Sequence, residues 1–423
     1  MTSLSRLSDV RLTATTVPLD PDVDLARVAG DHGTLWERAD GISLAGQGVA
    51  ARPPVSWDND GPGHEVAAVL AAIESEGPHP PVALGALPFL RSERAHLVVP
   101  SVLVRRLVDG SCWLTVTGAD RDGDETVDDI RRRLEAARPE AAPTEAHGPE
   151  PREYRIRSDI ERGAWCRLVA DAAAAVAAGR LAKVVLARGV TVVADQIIRP
   201  GQVARRLKLS HPSCMVFSVD GFVGASPELL VERNGVSVRS QPLAGTTARP
   251  GSGDGDGELG PRLLSSTKER EEHRLAVDAV AAALAPYCDE LTVPEVPGVV
   301  PIGTLAHLGS LITGRLSQPL PTALDLVGAI HPSPAVAGTP TAAALQYIAD
   351  VEGLDRGHYA GPVGWVDAEG DGCWALGIRS AHIDGRRARL MAGVGIVAES
   401  DPETELAETD LKFQPMLAAV TRP

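Results

Sequence analysis

Short runs of β-branched and apolar residues, each bounded by turn residues, recur at 183–186, 236–238 and 390–397. That pattern predicts strands, and strands closed by local turns predict a sheet that is antiparallel in large part. Between them the apolar positions switch to a three- and four-residue rhythm. The plainest helix covers 159–178, opened by a capping box of Ser158 and Glu161 and ended at Gly179. A second covers 266–287. A third follows Asp401 and Pro402, an N-cap residue and a proline suited to the first helical position. Helices interleaved with antiparallel strands place the chain in the α+β class. No internal repeat is visible.

Two stretches break the rhythm. Residues 136–153 are rich in Pro, Ala and Glu without apolar periodicity and read as an exposed connector. Residues 249–260 alternate glycines with acids, offer nothing to pack, and read as a mobile loop. Two acidic turns invite a calcium reading, and ligand spacing rejects both. In the turn that starts at Asp120, the sixth position is Glu125 where an EF-hand needs Gly, and the twelfth is Arg131 where it needs a bidentate Glu. The DGDG run within 249–260 is too short for a cage and lacks the closing glutamate. A chain of 423 residues admits two or three domains or one large core.

Composition removes several function classes. Hydrophobic residues at 44% and charged residues at 23% suffice to bury a sizeable core, so disorder is not expected. A formal net charge of −15 without any basic block argues against a nucleic-acid binder and against docking on an anionic membrane. No apolar run approaches the ~18 residues needed to span a bilayer. The opening MTSLSRLSDVRLTATT lacks the apolar centre of a signal peptide. The five cysteines, Cys112, Cys166, Cys214, Cys288 and Cys373, are odd in number and form no C-x-x-C pair. They read as reduced, buried thiols, and a cytoplasmic location is the expectation.

The candidate chemistry is acidic and sits on helices. Within 266–287, Glu269, Glu272 and Ala276 recur at three- and four-residue spacing and share one face, which continues through Ala279 and Ala283. Small residues there let something approach closely where the carboxylates sit. Glu405 and Glu408 repeat the Glu-x-x-Glu pattern on the C-terminal helix. Either pair alone is also the pattern of a solvated helix face, and Glu269 could complete a capping box with Ser266. If the two helices face each other, four carboxylates converge, and that much negative charge calls for a hard, oxygen-seeking cation. Magnesium fits.

Lys183 alternates with Val185 and Ala187 on one side of its strand pattern. Desolvation of a lysine favours the neutral amine that can act as a general base; an edge-strand lysine with its head in water is the alternative. Glu228 follows a proline turn and precedes two leucines, so it is either an acid held against the core or a surface glutamate. Gly393 and Gly395 interrupt a strand, a mark of close backbone approach.

The segments LAKVVLAR, GASPELL, QPLAGT, KEREEH, HLGS, HPSPAVAGTP, GPVGW, GIRSAH, AGVGIV and ETELAETDLK follow one another between about 182 and 417. Together they resemble the chorismate-utilising enzymes, the family of anthranilate synthase component I. The first 150 residues carry little of this resemblance. It implies one large α+β fold in which two antiparallel half-sandwiches enclose the site, with helices packed outside. On that basis a single chorismate-binding domain covers 1–423, with a variable N-terminal half at 1–137, a surface connector at 138–153 and a catalytic part at 154–423.

The resemblance also implies roles. Lys183 matches the base that activates water and Glu228 the acid. Glu272 and Glu408 match ligands of Mg2+, with Glu269 and Glu405 holding the ion through water. Gly245, Thr246, His307, Ala335, Arg379, the Gly393 backbone and Lys412 match positions that line the chorismate pocket. The non-functional alternatives are a strand-end ion pair for Arg379 and Lys412, a turn at Gly245 and Thr246, and a satisfied core imidazole for His307.

Within the family, members that use ammonia lack a lysine at the Lys183 position, so Lys183 points to water. The aminodeoxychorismate branch carries a lysine where this chain has Ala244, and the salicylate-forming branch usually has a Thr where this chain has Ala335. The expectation is therefore an isochorismate-forming isomerase, in which water attacks C2 of chorismate and the C4 hydroxyl leaves, reversibly. A salicylate synthase, which goes on to eliminate pyruvate, and a chorismate-binding protein without turnover are the alternatives. A monomer without a glutaminase subunit is expected, its product feeding menaquinone, siderophore or salicylate synthesis.

Overall fold

A computed structural model of the chain describes residues 11–57, 61–119, 125–136, 150–248, 261, 263–303 and 305–422. The 249–260 loop, the turn at 120–124 and the connector up to residue 149 lie outside the described residues.

The β-branched run at 183–186 begins a longer strand, Lys183–Ala194, buried on both faces as far as Val190. It pairs with Arg387–Ile396, the strand read at 390–397. From this centre the first sheet continues through Ser380–Asp384, Phe222–Ser226 and Met215–Val219 into N-terminal strands that include Thr34–Glu37, Ser43–Gln47 and Val102–Arg106. A second sheet carries Ser237–Gln241, Leu229–Asn234, Gly372–Leu376, Pro362–Asp367 and Val82–Ala86. Strands from the first 120 residues thus hydrogen-bond into both sheets, with Val216 opposite Glu37 and Gly364 opposite Gly85. The expected antiparallel pattern holds throughout these pairings; Thr13–Leu19 beside Glu74–Glu76 is parallel.

The two sheets pack face to face. Trp36, Leu44, Met215 and Phe217 of the first meet Leu84, Leu229, Val363 and Trp365 of the second. Burying each such side chain stabilises by roughly 1.5–3 kcal/mol. The helices Leu25–Ala29, Pro200–Ser210 and Pro402–Thr421 cover one part of the first sheet's outer face. Arg162–Ala177, Thr341–Val351 and Thr267–Leu284 pack in the cluster that includes Val184 and Leu186.

One helix start differs from the sequence reading. The helix read at 159–178 spans Arg162–Ala177, and its N-cap, Glu161, makes no side-chain capping bond. Ser158 instead ends the strand Tyr154–Ser158, paired with Lys183–Ala194, and its hydroxyl donates to the Ile160 carbonyl at 2.7 Å. Sheet pairing has displaced the capping box. The other end is as read: Gly179 takes φ 73°, and its N–H and that of Arg180 bond back to Val176 and Ala175 at 2.8 and 3.1 Å. Asp401 caps Pro402–Thr421 by accepting from the Thr404 N–H at 2.9 Å. All five cysteines are free thiols. No helix among the described residues is long and apolar enough to cross a membrane.

Candidate active site

Lys183 enters its strand in a register that sets Val184 against Ile396 and Val185 against Gly395. Its side chain is wholly buried, and Nζ lies 2.9 Å from Oε1 of Glu272 on the Thr267–Leu284 helix. The contact exists because residue 395 is glycine. A Cβ there would stand 2.3 Å from Glu272 Oε1 and 2.6 Å from Lys183 Cε. Burial pushes the Glu272 carboxyl up, but the charge of Lys183 and its hydrogen bond, with Lys412 and Lys268 beyond, outweigh burial and leave it below its ordinary pKa.

One lysine bridges the two acidic helices. Lys268 reaches across to Glu405 at 2.9 Å, while Lys412 pairs with Glu408 at 2.6 Å and donates to the Gly393 carbonyl at 2.9 Å. Ser266 accepts from the Glu269 N–H at 3.3 Å. The Glu269 carboxylate does not return that bond to complete a capping box; it accepts from the Thr246 N–H at 2.7 Å. Burial, followed by the charge of Glu272, pushes Glu269 up to about 7, and burial raises Glu405 against the pull of Lys268.

Burial first, and neighbouring carboxylates after it, raise these groups, and an all-carboxylate set is the hard-oxygen chemistry that magnesium takes. The donor chemistry fits such an ion, although among the described residues no three carboxylate, imidazole or thiol groups are grouped to enclose a metal. The small-residue face is narrower than its spacing suggests. Ala276 is buried with His273, Val277, Val280 and Leu284, whereas Ala279 and Ala283 are half-buried.

Beside this network lies a cleft of about 650 Å³, part of it open to solvent, whose walls include Glu228, His307, Ala335, Arg379 and Lys412. Glu228 follows Pro227 between Phe222–Ser226 and Leu229–Asn234 and is 5% exposed. Its Oε1 accepts from the Leu243 N–H at 3.4 Å. Burial pushes its pKa up to about 7, against that bond and the charges of Lys183, Arg379 and Lys412.

His307 stands 3.0 Å from the Thr246 hydroxyl through Nδ1 and 3.2 Å from Arg379 Nη2 through Nε2. A guanidinium can only donate, so Nε2 accepts and Nδ1–H donates to Thr246. Burial, then Arg379 and Lys412, hold the imidazole well below its ordinary pKa, which keeps it neutral. Arg379 has φ 52°, a left-handed conformation that costs a residue with a side chain roughly 1–3 kcal/mol and gathers at functional sites. Gly245 has φ 76° in a strand bulge, where a Cβ would stand 2.9 Å from the Glu269 carbonyl oxygen.

A family model for the chorismate binding enzymes matches residues 79–421. This chain belongs to the chorismate-binding enzymes. Among the relatives of this chorismate-binding enzyme, isochorismate synthase DhbC of Bacillus subtilis is 37% identical over 84% of each chain. Isochorismate synthase EntC of Escherichia coli is 34% identical over 86% of this chain and 88% of its own. The structure of MenF, the menaquinone-specific isochorismate synthase of Escherichia coli, superposes with a TM-score of 0.80 at 25% identity, covering 99% of this chain and 97% of that one. Anthranilate synthase component I from Streptococcus pneumoniae shares the fold, with a TM-score of 0.71 at 22% identity.

In this chorismate-binding enzyme, Glu228, Gly245, Thr246, Glu272, His307, Ala335, Arg379, Gly393 and Lys412 come together in the cleft wall. Lys183 does not reach that wall directly; a buried ammonium seeks a carboxylate, and Glu272 covers it. Glu269, Glu405 and Glu408 also stand outside the wall. Three residues escaped the sequence reading. Tyr359, pushed up to about 12 by burial, and Arg356 both border the cleft, and Lys268 bridges the helices. Lys268 lies inside KEREEH, where its place between two acidic helices was the available signal; nothing local marks Tyr359 or Arg356.

Proposed function

We propose that this chorismate-binding enzyme is an isochorismate synthase, an isomerase that adds water at C2 of chorismate and expels the C4 hydroxyl as the double bonds shift. One observation carries the reading: Glu228, which burial keeps protonated up to about pH 7, shares a site with a buried lysine near enough for its charge to act on that carboxyl. Two titratable groups in contrasting environments are the arrangement that divides acid and base roles. Glu228 delivers its proton to the departing C4 hydroxyl, and Lys183, once its ammonium has released its proton to solvent, takes a proton from the water attacking C2. Because Glu272 covers Lys183, that carboxylate must turn for the amine to meet water.

Arg379, its guanidinium steered by neutral His307, and Lys412, anchored on the Gly393 carbonyl, supply fixed positive charge for the substrate's carboxylates. Glu272 and Glu408 would hold Mg2+ directly, and Glu269 and Glu405 through water. When bound, the ion supplies further positive charge against the ring carboxylate. Water as nucleophile requires no ammonia source, so the enzyme works without a glutaminase subunit. Strands shared between both sheets support reading 1–423 as one chorismate-binding domain. The free thiols accord with a cytoplasmic place.

The test is incubation with chorismate and magnesium, with products separated by chromatography and pyruvate followed by coupled lactate dehydrogenase. Isochorismate and chorismate should reach one ratio from either side with almost no pyruvate, since Ala335 offers no hydroxyl to hold the enolpyruvyl chain for elimination. Stoichiometric pyruvate with fluorescent salicylate would make the protein a lyase, and tight binding without any product would make it a binding protein.

A further inference from the structure

The strand that begins at Lys183 has a gap along one edge. Arg387–Ile396 accompanies it on one side from Val184 to Val193. On the other side, Gly338–Thr339 meets only Lys183 and Val184, and Tyr154–Ser158 begins at Val190. Inside the gap the Val185 N–H finds the Ala337 carbonyl at 2.8 Å. Side chains take over from there. Glu352 Oε2 accepts from the Ala187 N–H at 2.8 Å, and Arg356 Nη2 donates to the Val185 carbonyl at 2.8 Å. Buried backbone groups left unpaired here would each be costly.

Glu352 and Arg356 are locked to each other by two bonds of 2.6 Å, with both side chains buried. Arg356 Nη1 donates to the Val336 carbonyl at 3.0 Å, and the guanidinium lies 4.4 Å from the centre of the Phe89 ring. Nε, Nη1 and Nη2 therefore all spend hydrogens within the protein. Arg356 borders the cleft, yet its fork is committed to carbonyls and a carboxylate in a way that the Arg379 fork is not.

We infer that Glu352 and Arg356 are positioning residues: a buried ionic clamp that replaces a missing strand and fixes the strand carrying Lys183 relative to the Ala335–Val336 segment of the cleft wall. The inference rests on the reading of Lys183 as the base. One end of the clamp holds the strand two residues beyond Lys183, and the other holds the residue next to Ala335. Loosening it lets the amine and the wall shift relative to one another, and a misplacement of about 1 Å at a reacting group can cost ~10²-fold in rate. Lysine cannot reproduce the fork at position 356, because one ammonium cannot make the bidentate contact with Glu352 and also reach both carbonyls.

The experiment compares wild type, Arg356→Lys, Glu352→Gln, Lys183→Ala and the Arg356→Lys/Lys183→Ala double variant in the same chorismate assay, with chorismate binding measured by calorimetry. Each clamp variant should retain chorismate affinity while kcat falls ~10- to 100-fold. The Arg356→Lys effect on the residual rate should vanish in the Lys183→Ala background, because the clamp acts through that amine. The share of turnovers that release pyruvate should rise as the wall loosens. Wild-type kcat and product ratio in a variant that only melts earlier would overturn the inference, as would full additivity with Lys183→Ala. If Arg356→Lys does not fold, Glu352→Gln, which keeps the shape and one acceptor oxygen, decides by kcat and product ratio. A wild-type enzyme that makes no isochorismate would defeat the proposed function itself, a result separate from any of these.

Discussion

Replacing Glu228 by glutamine should make the protein more stable above neutral pH while removing its activity. The carboxyl titrates at about 7 in the folded chain against an ordinary 4.5, chiefly because it is buried. At about 1.4 kcal/mol per pH unit, ionising it in place costs roughly 3 kcal/mol. The sign follows from linkage. A folded pKa above the unfolded one means that this contribution to stability is whole below pH 4.5 and is lost as pH rises through about 7. Glutamine never ionises, and its amide oxygen can still accept from the Leu243 N–H. Wild type and Glu228→Gln should therefore melt together near pH 4.5.

By pH 8.5 the variant should be the more stable by roughly 3 kcal/mol, or about 3 °C in Tm for a chain of 423 residues at ~2 cal/mol/K of unfolding entropy per residue. Differential scanning fluorimetry at the two pH values reads this directly. Turnover should fall by ~10²-fold or more in the variant, whereas the wild-type rate should decline above about pH 7 as the acid loses its proton. A Tm difference that is the same at both pH values would refute a raised Glu228 pKa, and a variant with wild-type kcat would refute its role as acid.

Lys183→Ala should lose ~10²-fold or more in turnover with chorismate affinity largely kept, read by single-turnover kinetics beside calorimetry; more than about a tenth of wild-type rate would reject it as the base. Glu272→Gln and Glu408→Gln should both abolish magnesium-dependent turnover, and wild-type activity that survives exhaustive chelation would remove the metal from the reading. Their folds should respond differently. Glu272→Gln leaves the buried Lys183 ammonium without its carboxylate, a loss of about 3–5 kcal/mol in fully buried pairs, whereas Glu408→Gln leaves Lys412 on the Gly393 carbonyl; equal melting temperatures would contradict this contrast. Gly395→Ala should lower kcat, since its Cβ would press on Glu272 Oε1 and Lys183 Cε, and an unchanged rate would show that the two side chains need not meet there.

Local spacing carried the strand at Lys183, the acidic helices and the glycine-broken strand into view, because each depends on residues a few positions apart. Ser158 was misread because a local cap is worth only ~1 kcal/mol. Here that serine instead pairs with Val190, across the sheet and far along the chain. Glu352 and Arg356 sit at the ordinary i, i+4 spacing of a helical ion pair. Their acceptors and donors at Val185, Ala187 and Val336 come from other elements, so nothing in the spacing says that they clamp a strand. The strained Arg379 and its neutral partner His307 are likewise products of tertiary packing.

The charge balance of the acidic helices is the part that spacing alone misstates. Four glutamates taken by themselves predict a repulsive cluster that an external cation must hold together. In the fold, Lys183, Lys268 and Lys412 each answer one of them, and Glu269 takes a backbone N–H. Three lysines against four carboxylates leave one formal negative charge, so the cluster can remain folded without a cation. If magnesium binds as proposed, it should matter for turnover more than for folding. Because Glu272 answers Lys183 and in the proposed reading would also hold the ion, a turn of that carboxylate toward the ion would uncover the amine. Chelation should therefore abolish turnover while leaving Tm within about 2 °C, a shift smaller than loss of the buried Glu272 partner would give. A collapse of Tm on chelation would show instead that the ion, and not the three lysines, holds the helices in place.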